Sequence, residues 1–273
     1  MPTGVAVVTG AAGGMGSKCA ACLARDGWKN LLLCDVDAAR LEAVARPLRE
    51  NGTNVEIIAG DITDPSFIAK IVSAAEARGI GALVHTAGIA PQMGTKERVL
   101  AINLDATLAL VEAVRPLMTQ GSAILLYAST ASHIPEAPEL EALFENPLPP
   151  GGSLSYADRV PGAMEAYKLS KRGVRALVRR EARSFGKRGV RLVSISPGIV
   201  DTVMTEGEMN DPMRFMIDVA GVQRKGDPVE LAEVSAFLVS PRASFITGTD
   251  LVVDGGQLAG IEHAEVAMPD LPK

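Results

Sequence analysis

The strongest constraint on the fold is a rhythm in the chain. Seven short, almost continuously apolar runs, "GVAVVTG", "NLLLCD", "NVEIIAGD", "GALVHTAG", "SAILLYAS", "VRLVSISPG" and "DLVVDGG", alternate with longer stretches of helical composition. Apolar residues at successive positions suit strands covered on both faces, as parallel strands are. The intervening segments, such as "MGSKCAACLARDG", "DAARLEAVARPLREN" and "PSFIAKIVSAAEARG", begin near Gly, Asp or Pro and end near Gly or Asn, which start and stop helices. This repetition, running to about residue 255, predicts right-handed crossovers and an α/β fold: a doubly wound, seven-stranded parallel sheet with helices on both faces. One domain of 273 residues accommodates it.

Charge and cysteines narrow the partners. A net charge of -5 offers no basic surface for nucleic acid or anionic lipid, so a small molecule is the expected partner. No apolar run reaches the roughly 18 residues of a bilayer span, and "MPTG" leads into the first strand without a cleavable leader, so a cytoplasmic location is expected. Cys19, Cys22 and Cys34 are odd in number, which argues against a disulfide framework. "CAAC" lacks the two further ligands that zinc needs, so no metal is expected and its thiols are assigned to helix packing.

Two stretches break the rhythm. Residues 133–161 are rich in proline and glycine, and residues 203–227 carry Met204, Met209, Met213 and Met216. Both leave the sheet at the carboxyl ends of strands, where ligands bind in such folds. The tail at 257–273 is expected to be an appended arm of uncertain order.

The chemistry begins at "VVTGAAGGMG". Gly10, Gly14 and Gly16 follow a strand and open a helix, so backbone amides can approach a pyrophosphate at the positive end of the helix dipole. Asp35 ends the second strand, placed to accept ribose hydroxyls and to repel a 2′-phosphate; position 13 is glycine, not a base. NAD is therefore expected over NADP.

The spacing T-G-x-x-x-G-x-G, with further motifs in order, resembles the short-chain dehydrogenase/reductase family from Val5 to Gly256. The resemblance implies a Rossmann-type fold, an alcohol or ketone substrate and these roles: Gly10, Gly14, Met15 and Gly16 beneath the cofactor, and Asp61 and Ile62 of "GDI" at the adenine. Ala87 and Gly88 of "HTAG" match the usual N-N-A-G, whereas His85 and Thr86 depart from it; His85 is taken as structural. Asn103 of "INLDA" would bend its helix within a proton relay. Ser129 of "YASTAS", chosen by register over Ser132, would bind the substrate oxygen. Tyr167 and Lys171 of "YKLSK" would serve both catalysis and the cofactor. Pro197, Gly198, Val200 and Thr202 of "PGIVDT" would contact the cofactor, with Thr202 bonding the nicotinamide carboxamide.

Tyr167 and Lys171 share a helix face. A nearby ammonium is expected to lower the phenol pKa, making Tyr167 an acid in ketone reduction and a base in alcohol oxidation. Tyr127 and Tyr156 have Ala131 and Val160 at that offset, so only Tyr167 has a lysine. The 38 positions from Ser129 to Tyr167 far exceed the family's usual spacing and resemble the insertion of bacterial hydroxysteroid dehydrogenase/carbonyl reductases. With NAD favoured by Asp35, the resemblance implies an alcohol or ketone oxidoreductase. Residues 203–227 match the family's substrate-binding loop, and their methionines, which suit irregular apolar shapes, suggest a bulky, alicyclic substrate. The resemblance also implies a homodimer or homotetramer, with the insertion favouring the dimer. An epimerase or dehydratase on the same fold, or a non-catalytic NAD sensor, is the alternative.

Overall fold

The computed structural model describes residues 3–145, 148, 151–202 and 210–264. Strands β1 (Val5–Thr9), β2 (Asn30–Asp35), β3 (Asn54–Ala59), β4 (Ile80–His85), β5 (Met118–Tyr127), β6 (Arg191–Pro197) and β7 (Asp250–Val253) form one sheet in the order β3-β2-β1-β4-β5-β6-β7. Every neighbouring pair is parallel. The seven apolar runs are therefore the seven strands, as the rhythm predicted.

Strand β1 shows why those runs lack alternation. Val5 and Val7 join a core under α3 (Pro65–Glu76), α5 (Ala106–Val114) and α7 (Ala163–Gly186); Ala6 and Val8 join the opposite core under α1 (Gly14–Arg25), α2 (Ala38–Glu50) and α9 (Pro228–Val239). Successive side chains point to opposite faces, and both faces are dry. Helix starts follow the sequence signals: Asp37 accepts from the Arg40 amide, Asp64 from the Ser66 amide, and Pro65 and Pro228 occupy the first helical turn. At the far end of α9, the buried Arg191 guanidinium donates to the carbonyls of Leu238 (2.7 Å) and Ser240 (3.0 Å), the latter accepting from the Ala243 amide as well.

The strand order reverses between β1 and β4, opening a cleft at their carboxyl ends. Beside it, α4 (Lys96–Leu100) runs through a π-turn at Ala101–Asp105 into α5, with the Ala106 amide reaching back to the Ala101 carbonyl. The expected bend at Asn103 is this π-turn.

The 133–161 insertion is folded where described. It holds α6 (Pro138–Glu145) and a 3-10 helix at Gly152–Arg159, which pack on α7 and α4. Phe144, fully buried, meets Tyr156 edge to face at 6.1 Å. Acidic groups of the insertion face the basic helix α7: Glu136 pairs with Lys168 (2.7 Å), and Glu141 and Glu145 pair with Arg172 (2.6 and 3.1 Å). Met204 and Met209 lie outside the described residues, while Met213 and Met216 sit half-buried on α8 (Asp211–Asp218). The expected tail needs correction at its start. Residues Gln257–His263 form α10, anchored by the buried Gln257 amide oxygen, which accepts from the Ile199 N–H at 3.0 Å.

Candidate active site

The glycine turn follows β1 directly. Gly10 adopts φ +71°, which L side chains rarely take, and a Cβ there would stand 2.6 Å from the Ala87 amide nitrogen. A Cβ on Gly16 would land on the Gly10 carbonyl oxygen and 2.7 Å from Thr86 Oγ1. A Cβ on Gly14 would crowd Thr202 Cγ2 at 3.1 Å. The turn is therefore closed from below by Thr86 and Ala87, just beyond β4, and faced by Thr202. No side chain caps the start of α1, so its first amides have no side-chain acceptor.

Above the turn lies a cavity of about 340 Å³. It is lined by Gly10, Gly14, Met15, Gly16, Asp35, Asp61, Ile62, Ala87, Gly88 and Thr202, all named from the sequence. The fit to a dinucleotide is sound: a glycine cradle at an uncapped helix start receives a pyrophosphate, and Asp35 stands at one end as a hydroxyl acceptor. Asp35 is held there by amide donors, Ala12 at 2.9 Å and Asp37 at 3.2 Å. Arg40 and Arg98 also line this cavity, which the sequence reading missed. Arg98 pairs with Asp61 at 2.7 Å, and Asp61 also accepts from the Thr63 amide and hydroxyl. Burial opposes ionisation of Asp61, but these bonds outweigh it and hold the carboxyl down at about 2. A 37-residue separation leaves no local signal for that pair.

Five of the expected cofactor residues, Tyr167, Lys171, Pro197, Gly198 and Val200, are not among the residues that line this cavity. Pro197 ends β6 in the core, and a Cβ on Gly198 would strike the Gln257 amide oxygen and Asp254. Val200 forms a parallel bridge with Gly226 and packs under α9. This segment is shaped by its return to β7 and α10 as well as by any ligand.

Tyr167 and Lys171 lie one turn apart on α7, and the hydroxyl of Ser129, just beyond β5 and 38 positions earlier in the chain, lies beside the Tyr167 phenol and opposes the rise in its pKa. Ser132 is not placed to compete: it is buried and donates to the Ser129 carbonyl at 2.6 Å. Lys171 is buried, with Nζ 5.9 Å from the Tyr167 ring centroid and donating to the Tyr127 carbonyl at 2.8 Å. The Asn103 side chain clasps the backbone of Ile89, accepting from its N–H and donating to its carbonyl, both at 2.9 Å.

The lowering of the Tyr167 pKa expected from the ammonium is opposed by burial. Burial raises the phenol pKa, and the Ser129 hydrogen bond opposes that only in part. Burial also lowers Lys171, to about 8, because removing water penalises the ammonium as it does the phenolate. The departures at His85 and Thr86 restore local bonding. Thr86 Oγ1 donates to the Thr9 carbonyl at 2.8 Å, and the His85 ring bridges Thr9 and Thr107 at 2.6 and 2.8 Å. Burial, with the Lys171 charge, holds the imidazole neutral down to about 3. Cys19 is buried against the Tyr127 hydroxyl at 3.3 Å, and burial raises its pKa to about 11, as a packing thiol requires. Among the described residues no helix is long and apolar enough to cross a membrane.

Comparison with known proteins agrees with this geometry. The model of the short chain dehydrogenase family matches residues 4–139, and that described as enoyl-(acyl carrier protein) reductase matches residues 152–257. The chain is 32% identical to cis-4-hydroxycyclohexanecarboxylate dehydrogenase of Sinomonas cyclohexanicum over 266 residues, covering 93% of this chain and 96% of that one. It is 30% identical to the 3-alpha-hydroxysteroid dehydrogenase/carbonyl reductase of Comamonas testosteroni over 234 residues, covering 74% and 86%. The solved 3-alpha-hydroxysteroid dehydrogenase from Pseudomonas sp. B-0831, complexed with NADH, superposes with a TM-score of 0.78 at 29% identity, covering 96% and 99%. Solved neighbours include complexes with NADH and with NADP. With its sheet order, glycine turn and Ser–Tyr–Lys grouping, the chain belongs to the short-chain dehydrogenase/reductase family, oxidoreductases that act on alcohols and ketones with a nicotinamide dinucleotide.

Proposed function

We propose that this protein is an NAD-dependent dehydrogenase or reductase of a bulky, alicyclic secondary alcohol or ketone, working as one catalytic domain. The observation that carries the reading is the meeting of Ser129 with Tyr167 beside a glycine-cradled cavity that ends at Asp35. Bound in that cavity, the nicotinamide supplies the hydride acceptor or donor. Ser129 donates a hydrogen bond to the substrate oxygen, and Tyr167 gives or takes the proton there. Lys171, fixed by the Tyr127 carbonyl, brings positive charge beneath the phenol. Asn103 holds the Ile89 backbone at the edge of the cavity. Cyclic-alcohol and hydroxysteroid relatives support the substrate class. The test is a panel of cyclohexanol, a 3-hydroxysteroid and a hexitol with NAD. Turnover of either cyclic alcohol supports the class, and turnover confined to the open-chain polyol would overturn it.

Asp35 supports NAD over NADP, since a carboxylate facing a 2′-phosphate costs several kcal/mol. Arg40 lines the same cavity and is the group left to receive that phosphate once the carboxylate is gone. Asp35→Ser is therefore expected to lower the NAD-over-NADP ratio of kcat/KM by about 100-fold. Steady-state kinetics with both cofactors check this.

The insertion also bears on assembly. Its acidic helix covers part of α7, while edge strand β7 exposes Leu251 and Val252 close in sequence to a fully exposed Phe245. Exposed apolar edges mark association surfaces, and a homodimer is the assembly this supports. Light scattering is expected to show two chains per particle, and a tetramer would count against it.

A further inference from the structure

His85 is 2% exposed and touches neither the cavity nor Tyr167, yet its ring is bonded on both edges. The direction of those bonds is fixed by proton counting. The Asn103 backbone carbonyl can only accept, and Thr107 Oγ1 donates to it at 3.0 Å. Thr107 has one hydroxyl proton. Its oxygen must therefore accept from the ring, which places the imidazole proton on Nε2. Nδ1 is then bare and accepts from the Thr9 hydroxyl at 2.6 Å. The chain runs one way, from the end of β1 through the end of β4 to the π-turn.

The π-turn carries Asn103, whose amide clasps Ile89 four residues beyond His85. Gly88 lies between the two attachments. A Cβ on Gly88 would stand 3.0 Å from Asn103 Oδ1 and 3.4 Å from Lys171 Nζ, so amide, glycine and ammonium are in contiguous packing. The end of β4 is thus tied twice to the turn that faces Lys171, once by the His85 ring and once by the Asn103 side chain. A ring with an acceptor on one edge and a donor on the other spans the gap between Thr9 and Thr107. A neutral ring also adds no second positive charge beside Lys171.

We propose that His85 and Thr107 are positioning residues: the directed chain Thr9–His85–Thr107–Asn103 sets the placement of Asn103 and Gly88 against the Lys171 ammonium. This rests on the reading of Tyr167 and Lys171 as the proton-transfer pair.

The isosteric Thr107→Val removes the hydroxyl alone. It strands the Nε2 proton and frees the Asn103 carbonyl, and it is expected to lower kcat by about tenfold or more, the scale of an ångström-level misplacement. KM is expected to change by less than about twofold, and NADH affinity by less than kcat, because Gly10 to Gly16 and Asp35 are untouched while Gly88 and Ile89 at the cavity edge can shift. Thr107→Ser is expected to recover kcat to within about threefold of wild type. Histidine-selective ¹⁵N spectra are expected to show one ring, assigned by its loss in His85→Asn, as the neutral Nε2–H tautomer at about pH 5, with that pattern perturbed in Thr107→Val. Kinetics use the fastest alcohol of the panel above, with Tyr167→Phe in parallel. If Thr107→Val keeps kcat within about twofold while Tyr167→Phe is inactive, the chain is merely structural and the proposal is overturned. Should Thr107→Val fail to fold, His85→Asn decides by the same criteria, since its shorter amide cannot bridge both hydroxyls. Wild-type rates in Tyr167→Phe would remove the underlying reading and this proposal with it, a failure told apart by which variant keeps its rate.

Discussion

Replacing Tyr167 by phenylalanine is expected to reduce turnover by on the order of 10³-fold or more, the scale of losing a positioned proton donor. NADH binding is expected to survive, because the cavity lined by Gly10 to Gly16, Asp35 and Ile62 does not include this ring. The change removes one oxygen and leaves the half-buried ring packed on the core beneath α7. Its pH dependence follows from burial. The enclosed phenol is held above its ordinary pKa, so it stays protonated at neutral pH, ready to donate in ketone reduction. Alcohol oxidation needs the phenolate. Its kcat/KM in the wild type is therefore expected to climb through the alkaline range while reduction stays level or falls, and parallel pH profiles of both directions check this.

Gly16→Ala is expected to be severely damaging. Its Cβ meets the Gly10 carbonyl oxygen and Thr86 Oγ1, both part of the β1–β4 junction that a side chain cannot push aside. Overpacking of this kind costs about 3 kcal/mol or more, which for a chain of this size lowers Tm by roughly 10 °C. NADH binding is expected to be lost at concentrations that saturate the wild type, since the displaced turn is the cradle itself. Gly186→Ala is the matched control. No atom lies within 4 Å of a Cβ there and its φ is not left-handed. That variant is expected to melt at or slightly above the wild-type temperature. Calorimetry and NADH fluorescence on the pair give the comparison.

The sequence was most informative where one physical cause dominates. Period and composition decided the seven strands, because a buried parallel strand has no polar face to show. Backbone geometry decided Gly10 and Gly16, which no side chain can replace. It was least informative where opposing terms compete. Lys171 at four residues from Tyr167 suggested a lowered phenol pKa, but spacing carries no measure of burial, and burial raises it. The motif around Pro197, Gly198 and Val200 suggested cofactor contacts, and nothing in the sequence signalled that Gln257 and the Gly226 bridge also engage Gly198 and Val200. Gln257 belongs to the helix α10, which appeared in the sequence only as a tail. Arg98 on Asp61 and the His85–Thr107 bond join residues 37 and 22 positions apart, where no periodicity reaches.

The central claim is that Tyr167 moves a proton while the bound nicotinamide exchanges hydride with a cyclic alcohol. The most direct measurement mixes the protein with NAD and the cyclic alcohols of the panel and follows the absorbance of reduced nicotinamide, for wild type and Tyr167→Phe. Reduced cofactor accumulating with the wild type, and staying at background in a variant that still binds NADH, is the predicted result. A wild type that binds NADH yet forms none from any alcohol or ketone tried, or a Tyr167→Phe variant as fast as the wild type, would contradict the account.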